Sequence, residues 1–244
     1  RSDSYRLTTE AVNLTRIIDV FGQSGRISIL LPYAQLSGSG SIGRQNMNAT
    51  AEGLSDPVVK VSTNLYGAPA LSLEEFKHYQ QDLIIGASLA ASIPWGKYNS
   101  EQMINVGANR SLIQPGIGAS QAIGPWRLEL AGMATIYTSN TNFLGGNTLS
   151  QNPMYSTEAH AIYYFQNTAW ISADATYYTG GQSYVNGIPI NGSQENWRFG
   201  STLSYPIDKQ NSIRLTGSKG VYSRTNTSYD ALGISWQFRW GGGL

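Results

Sequence analysis

The chain contains no cysteine. That excludes thiol catalysis, disulfides and cysteine-based zinc sites, and it suits passage through an oxidising compartment where a stray thiol is a liability. Charge is sparse as well. Asp, Glu, Lys and Arg make up 13% of the 244 residues and nearly cancel, at a net +1. Such a chain is no nucleic-acid binder, which would carry a basic stripe or patch. Long apolar runs are missing. A membrane helix needs about 18 apolar residues, and the longest candidate, residues 83–95, is broken by Gly86, Ser88, Ser92 and Pro94. No leader segment is visible; either it has been removed or the sequence starts inside a longer chain.

What is present is alternation. Hydrophobic residues make up 41%, too many for a disordered chain. The last readable segment runs Leu232-Gly233-Ile234-Ser235-Trp236-Gln237-Phe238-Arg239-Trp240. Its even positions are large and apolar, its odd ones small, polar or charged. A strand turns successive side chains to opposite faces, so this one has an oily face and a wet face. The oily face ends in three aromatics, as expected where a strand meets lipid and then a membrane interface.

Similar segments recur near 8–20, 25–38, 55–66, 80–93, 110–122, 125–138, 155–165, 167–178, 194–206, 209–219 and 228–240. Most run well past the 5–6 residues usual in soluble strands and match a tilted membrane crossing of about 9–11. Short connections (21–24, Gly124, Gln166 and 207–208) alternate with long ones rich in Gly, Asn and Ser (39–54, 94–109, 139–154, 179–192 and 220–227). Short periplasmic turns and long outer loops are the mark of a membrane barrel. One connection, 66–81, is long where a short one is expected. Its Ser72-Leu73-Glu74-Glu75 has capping-box spacing and predicts a helix over 72–79, packed on the barrel rim or covering its mouth.

The reading is therefore all-β: a single domain over 1–244, a transmembrane antiparallel up-and-down β-barrel of 12 strands. Eleven are legible. The first of these descends into a short turn, so an ascending strand is expected upstream of Arg1 or among residues missing from the numbering. Residues 1–6 are too few to supply it.

The faces separate. Val59, Val61 and Leu65, then Leu83, Ile85, Ala87, Leu89 and Ala91, then Trp126, Leu128, Leu130, Ala134 and Ile136 are assigned outward. So are Ala159, Ala161, Tyr163 and Phe165, and Ile171, Ala173, Ala175 and Tyr177. Lys60, Asp82, Arg127, Glu129, Glu158, His160, Asp174, Arg198, Arg214 and Arg239 fall on the opposite face. A Lys or Arg on the lipid face at mid-bilayer costs about 2–4 kcal/mol, so these ten are the expected pore lining. Two readings stay open: a plugged interior cross-braced by ion pairs, or a water-filled path whose charges tune selectivity. Twelve strands enclose more space than the eight that side chains just fill, and the small cationic excess favours anions weakly.

The first two strands alternate poorly. Val12, Leu14, Ile18 and Val20 share a face with Arg16. In the second, Leu30, Pro32 and Ala34 oppose Ile27, Ile29, Leu31 and Tyr33, so both faces are apolar. Pro32, and Pro115 beside Gly116 and Gly118, cannot donate to a ladder. Leu30, Pro32 and Pro115 mark a bend with local packing, an apolar patch in the lumen, or a seam in the wall. Trp126, Phe165 and Tyr205 near short turns with Phe238 and Trp240 at the periplasmic end of the last strand, and Tyr177 and Trp197 near long loops, form two interface belts.

Catalytic chemistry is not signalled. His78 lies in the candidate helix, and His160-Ala161-Ile162 carries no hydrolase pattern. No spacing suggests a Ser-His-acid set or a metal site; no metal and no cofactor are expected. Gly145-Gly146-Asn147 and Gly180-Gly181 are turn chemistry.

Several phrases together carry a resemblance. They are Asn64-Leu65-Tyr66-Gly67-Ala68-Pro69-Ala70-Leu71, Ile104-Asn105-Val106-Gly107-Ala108-Asn109-Arg110, Gly145-Gly146-Asn147-Thr148, Asp174-Ala175-Thr176-Tyr177-Tyr178-Thr179-Gly180-Gly181 and Trp236-Gln237-Phe238-Arg239-Trp240. From about Ala11 onward the chain resembles the outer-membrane channel family associated with phenol meta-cleavage, that is aromatic compound degradation, in Gram-negative bacteria. The resemblance implies a monomeric barrel in the bacterial outer membrane whose partners are membrane lipid and a small-molecule substrate of rather apolar character. It brings no catalytic residues with it. The expected function is passive uptake of small molecules. The alternatives are a structural or adhesion barrel with a plugged lumen, and a barrel hydrolase built on His160.

Overall fold

A computed structural model describes residues 4–42, 45–225 and 228–241. The first part of the chain forms β1 (Ser4–Val20), β2 (Gln23–Ile42), β3 (Gln45–Leu54), β4 (Val58–Tyr66), the single-turn helix α1 (Leu73–Phe76) and β5 (Leu83–Ser92). The middle forms β6 (Leu112–Ile123), β7 (Trp126–Tyr137), β8 (Asn140–Phe143), β9 (Asn147–Gln151), β10 (Met154–Tyr164) and β11 (Trp170–Gly180). Then come β12 (Ser183–Val185), β13 (Ile188–Asn191), β14 (Gln194–Pro206), β15 (Asn211–Ser223) and β16 (Asp230–Phe238).

Twelve of these strands make one sheet. Its wall runs β1-β2-β4-β5-β6-β7-β10-β11-β14-β15-β16, each strand antiparallel to the next. These are the eleven segments read from alternation. The twelfth strand, β3, pairs with the distal half of β2, from Tyr33↔Leu54 to Ile42↔Gln45. Among the described residues β1 and β16 are the ends of the path and do not pair with each other. The strand expected upstream of Arg1 concerns residues outside this chain, and residues 1–3 lie outside the described residues.

The sheet curls. Lys60 on β4 and His160 on β10, four strands along the wall, line one cavity. Its convex face is apolar and open: Leu130 is 57% exposed, Ile117 61% and Ile234 75%. Among the described residues the buried hydrophobic ones are all alanines: Ala34, Ala68, Ala90 and Ala169. A soluble sandwich would hide its large side chains between layers. An exposed apolar surface of this extent marks a contact face for protein or membrane.

Four connections are more ordered than the sequence indicates. The expected loop 39–54 is largely the end of β2 plus β3, because Ser, Gly, Ala and Thr alternate there without an apolar face to signal a strand; residues 43–44 lie outside the described residues. Loops 139–154 and 179–192 hold β8, β9, β12 and β13, a separate sheet in the order β13-β12-β9-β8. Loop 220–227 is mostly the end of β15, and its residues 226–227 are outside the described residues. The two-residue turn Phe21-Gly22 has φ of 51° and 82°, the mirror-image turn that matches strand twist, and the Gly22 N–H donates to Asp19 Oδ1 at 2.7 Å.

The helix is shorter than the sequence indicates: one turn, not 72–79. The capping box is complete, with Ser72 and Glu75 bonding each other's backbone. The connector around it docks on the first turn of the wall, Ser24 N–H to Ala68 O and Ala70 N–H to Gly22 O. It therefore packs on the rim. At Gly67 (φ +81°) a Cβ would stand 1.9 Å from the Leu83 carbonyl oxygen, so only glycine lets the connector turn there. The bulge at Asn64/Tyr66 puts Tyr66, not Leu65, opposite Ile85.

Candidate functional site

Cross-strand register decides which side chains share a face. Trp126↔Tyr163↔Ile171↔Leu203 and Leu130↔Ala159↔Ala175↔Phe199 run along the convex side. Between them runs Glu129↔His160↔Asp174↔Gly200. The concave side carries Lys60, Arg127, Glu129, Glu158, His160, Asp174, Arg198, Arg214 and Arg239, with Arg26 in the same register. Asp82 sits on the rim just before β5, where its Oδ1 accepts from Gln121 Nε2 at 2.7 Å.

The centre of the concave face is a cavity of about 310 Å³ lined by Lys60, Ser88, Ser120, Glu129, Glu158 and His160 among others. Small residues make the room: Gly86, Gly116 and Gly118 face it where longer side chains would fill it. His160 stands between two acids. Its Nδ1 is 2.6 Å from Asp174 Oδ1 and its Nε2 is 3.7 Å from Glu158 Oε2. Ser172 Oγ donates to Asp174 Oδ2 at 2.9 Å. The serine thus serves the acid rather than the imidazole, and both ring nitrogens face carboxylates. This geometry does not assemble a nucleophile with a base at His160.

Acids and arginines separate around the wall. Glu129, Glu158 and Asp174 lie on β7, β10 and β11. Arg214 and Arg239 lie at β15 and just past β16, and Arg26 on β2 is near enough to act on Arg214 electrostatically. Among the described residues none of the arginines forms an ion pair with a carboxylate. Arg127 Nε donates to Gln81 Oε1 at 2.9 Å and Arg214 Nη2 to Gln237 Oε1 at 2.7 Å. Arg198 differs from the others. It is buried, its guanidinium carbon 3.5 Å from the centre of the Tyr229 ring, and it donates to Tyr229 O at 2.6 Å and Ser218 Oγ at 2.8 Å. It ties β14 and β15 to the residue just before β16 instead of facing open space.

Leu30, Pro32 and Ala34 point inward. Pro32 and Ala34 are covered by the loop at Asn105 and Val106, around a small cavity of about 180 Å³ that Leu7 and Leu36 also line. Ser55 Oγ fastens the loop, donating to Val106 O at 2.6 Å. Pairing with β1 continues through Ala11↔Pro32, and on the other edge Pro32 is where β2 exchanges β4 for β3. The missing N–H falls at that exchange, where no ladder partner is needed. Pro115 faces outward and pairs with Leu89, but the β6–β7 ladder lapses between Ile113↔Ile136 and Gly116↔Met133. Inside that lapse Gln114 Nε2 donates to Thr135 Oγ1 at 2.9 Å.

Three lining features escape sequence reading. Arg26 is the fourth residue of β2, where both faces look apolar. Tyr164 and Trp170 face inward at the end of their strands, which parity with Ser172 and Asp174 could have revealed. Gln81 and Gln237 are partners set by strand register: Gln237 lies diagonal to Arg214 on the adjacent strand, and Gln81, just before β5, reaches across β6 to Arg127.

Residues 4–238 match the protein-family model described as "Putative MetA-pathway of phenol degradation". Among solved structures, an outer membrane channel from Pseudomonas putida F1 superposes with a TM-score of 0.79 at 18% identity, over 96% of this chain and 84% of that one. No curated protein matches the sequence. The likeness to the channel is one of fold.

Proposed function

The chain belongs to the putative MetA-pathway of phenol degradation family, and from that premise we propose that it is a passive outer-membrane channel for small molecules, working as a monomer in lipid. The observation that carries this reading is the contrast between the two faces of one curled sheet. The convex face exposes Leu130, Ile117 and Ile234, while the concave face holds a cavity among Lys60, Glu129, Glu158 and His160. Charged groups that line a hydrated path set which ions and solutes pass. The substrates in this reading are aromatic or otherwise apolar degradation substrates.

Single-channel recording of the purified protein in planar bilayers tests the reading. Discrete conductance steps are the expected result. Silence at all voltages would overturn it in favour of a barrel with a plugged lumen. Growth or uptake with and without the protein, across a panel of aromatic acids and hydrocarbons, then identifies the substrate class.

A further inference from the structure

At the end of the lumen near the short turns, four inward side chains form a row across the wall. Arg127 on β7 has its guanidinium carbon 5.5 Å from the centre of the Tyr164 ring on β10. Tyr164 and Trp170, paired across β10 and β11, have ring centres 6.4 Å apart at a tilt of 48°. Arg214 on β15 reaches over the small, buried Ser204 of β14 to sit 5.4 Å from the Trp170 ring. The order is cation, aromatic, aromatic, cation. Arg239 and Arg26 add positive charge at the Arg214 end.

Stability alone does not call for this arrangement. Like charges gathered in one region repel, and none of these arginines forms an ion pair with a carboxylate among the described residues. The acids of the lumen, Glu129, Glu158 and Asp174, are grouped around His160 instead. Arg214 spends Nη2 on Gln237 and leaves its Nε buried without a partner. A guanidinium presents five donors in a planar fork that suits a carboxylate. An aromatic face beside it suits a flat ring in offset stacking. The two features together describe one ligand, a ring bearing an anionic group.

We propose that the Arg127–Tyr164–Trp170–Arg214 row is a binding subsite for small aromatic carboxylates on their way through the lumen. The ring lies over Trp170 or Tyr164, and the carboxylate takes the free donors of the adjacent arginine. The proposal rests on the channel reading and narrows its substrate class. A subsite of this kind lowers the barrier for one class of solute by holding it weakly enough to leave again.

The test uses the whole protein in planar bilayers, with block of the ion current by benzoate, cyclohexanecarboxylate and acetate as the readout. The three share a carboxylate and differ in the ring. Benzoate is expected to block at the lowest concentration. Arg214→Gln is expected to weaken benzoate block about tenfold or more, as loss of a charge-assisted bond does. Trp170→Leu is expected to remove the preference for benzoate over cyclohexanecarboxylate, while Trp170→Phe keeps it. Equal block by benzoate and cyclohexanecarboxylate in the unmodified protein would overturn the proposal, as would unchanged block in Arg214→Gln. A tryptophan fluorescence titration with benzoate in detergent reads binding without conduction. A saturable change lost in Trp170→Leu supports the subsite even in a silent barrel, and its absence overturns the subsite even in a conducting one.

Discussion

At the scale of single residues, the arginines of the concave face are held by hydrogen bonds rather than by ion pairs with carboxylates among the described residues. Arg198 shows the difference that burial makes. It is the one lining cation withdrawn from space, stacked on Tyr229 and bonded to Ser218 and the Tyr229 carbonyl. Arg198→Ala removes the stacked cation and leaves the Tyr229 carbonyl only the longer bond from the Gly220 N–H, at 3.3 Å, so it is expected to cost about 2–4 kcal/mol, read as a lower midpoint in urea unfolding from vesicles. His160 acts differently. It sits between Asp174 and Glu158 and shields them from each other. His160→Ala leaves two bare carboxylates beside the cavity. The expected result is a roughly twofold or greater rise in the cation-to-anion permeability ratio, read from the reversal potential in a salt gradient. An unchanged ratio would mean that permeating ions do not pass this cluster.

Among the elements, α1 shows how local chemistry is written in sequence while length is not. Ser72 and Glu75 at capping-box spacing do form the box. Nothing beyond Phe76 continues the helix, since Lys77 to Tyr79 only turn back toward the rim, where the Tyr79 hydroxyl donates to the Gly67 carbonyl. The hydroxyl and the backbone N–H of Ser72 hold Glu75 below the ordinary carboxylate range. A carboxyl lowered on folding contributes stability that is present above its unfolded value and lost as pH falls through the folded one. The order of the 72–79 segment is therefore expected to hold at neutral pH and loosen in acid below the usual glutamate range. Ser72→Ala should weaken that pH dependence, since the hydroxyl is lost while the backbone N–H of residue 72 still donates to Glu75. Hydrogen exchange of the segment from pH 7 down to pH 3 measures both. The strands β1 and β2 teach the converse lesson. The inward face of β2 looks apolar because Pro32 and Ala34 pack under Asn105 and Val106, a loop more than 70 residues away that no local pattern reveals.

For the whole molecule, the decisive property is which side of the sheet faces lipid. Leu130 and Glu129 are neighbours in sequence and lie on opposite sides of the membrane wall. Leu130→Arg is expected to destabilise by about 2–4 kcal/mol. Ser156→Arg, in the inward register opposite Met133 and Tyr178, is expected to change stability little and conductance measurably. Urea unfolding in vesicles together with single-channel current separates the two. Equal costs at both positions would mean that the sheet has no lipid side.

The sequence by itself determined the eleven wall segments and their antiparallel order. Those follow from a period of two and from the lengths of connections, both local quantities. Tertiary structure alone decided that Glu129, Glu158 and Asp174 gather around one histidine while Arg26, Arg214 and Arg239 gather elsewhere. It also set Tyr164 and Trp170 between two guanidiniums. Those neighbours depend on strand register and on the curvature of the wall, which sum small twists over many strands and leave no trace in the spacing of residues along the chain.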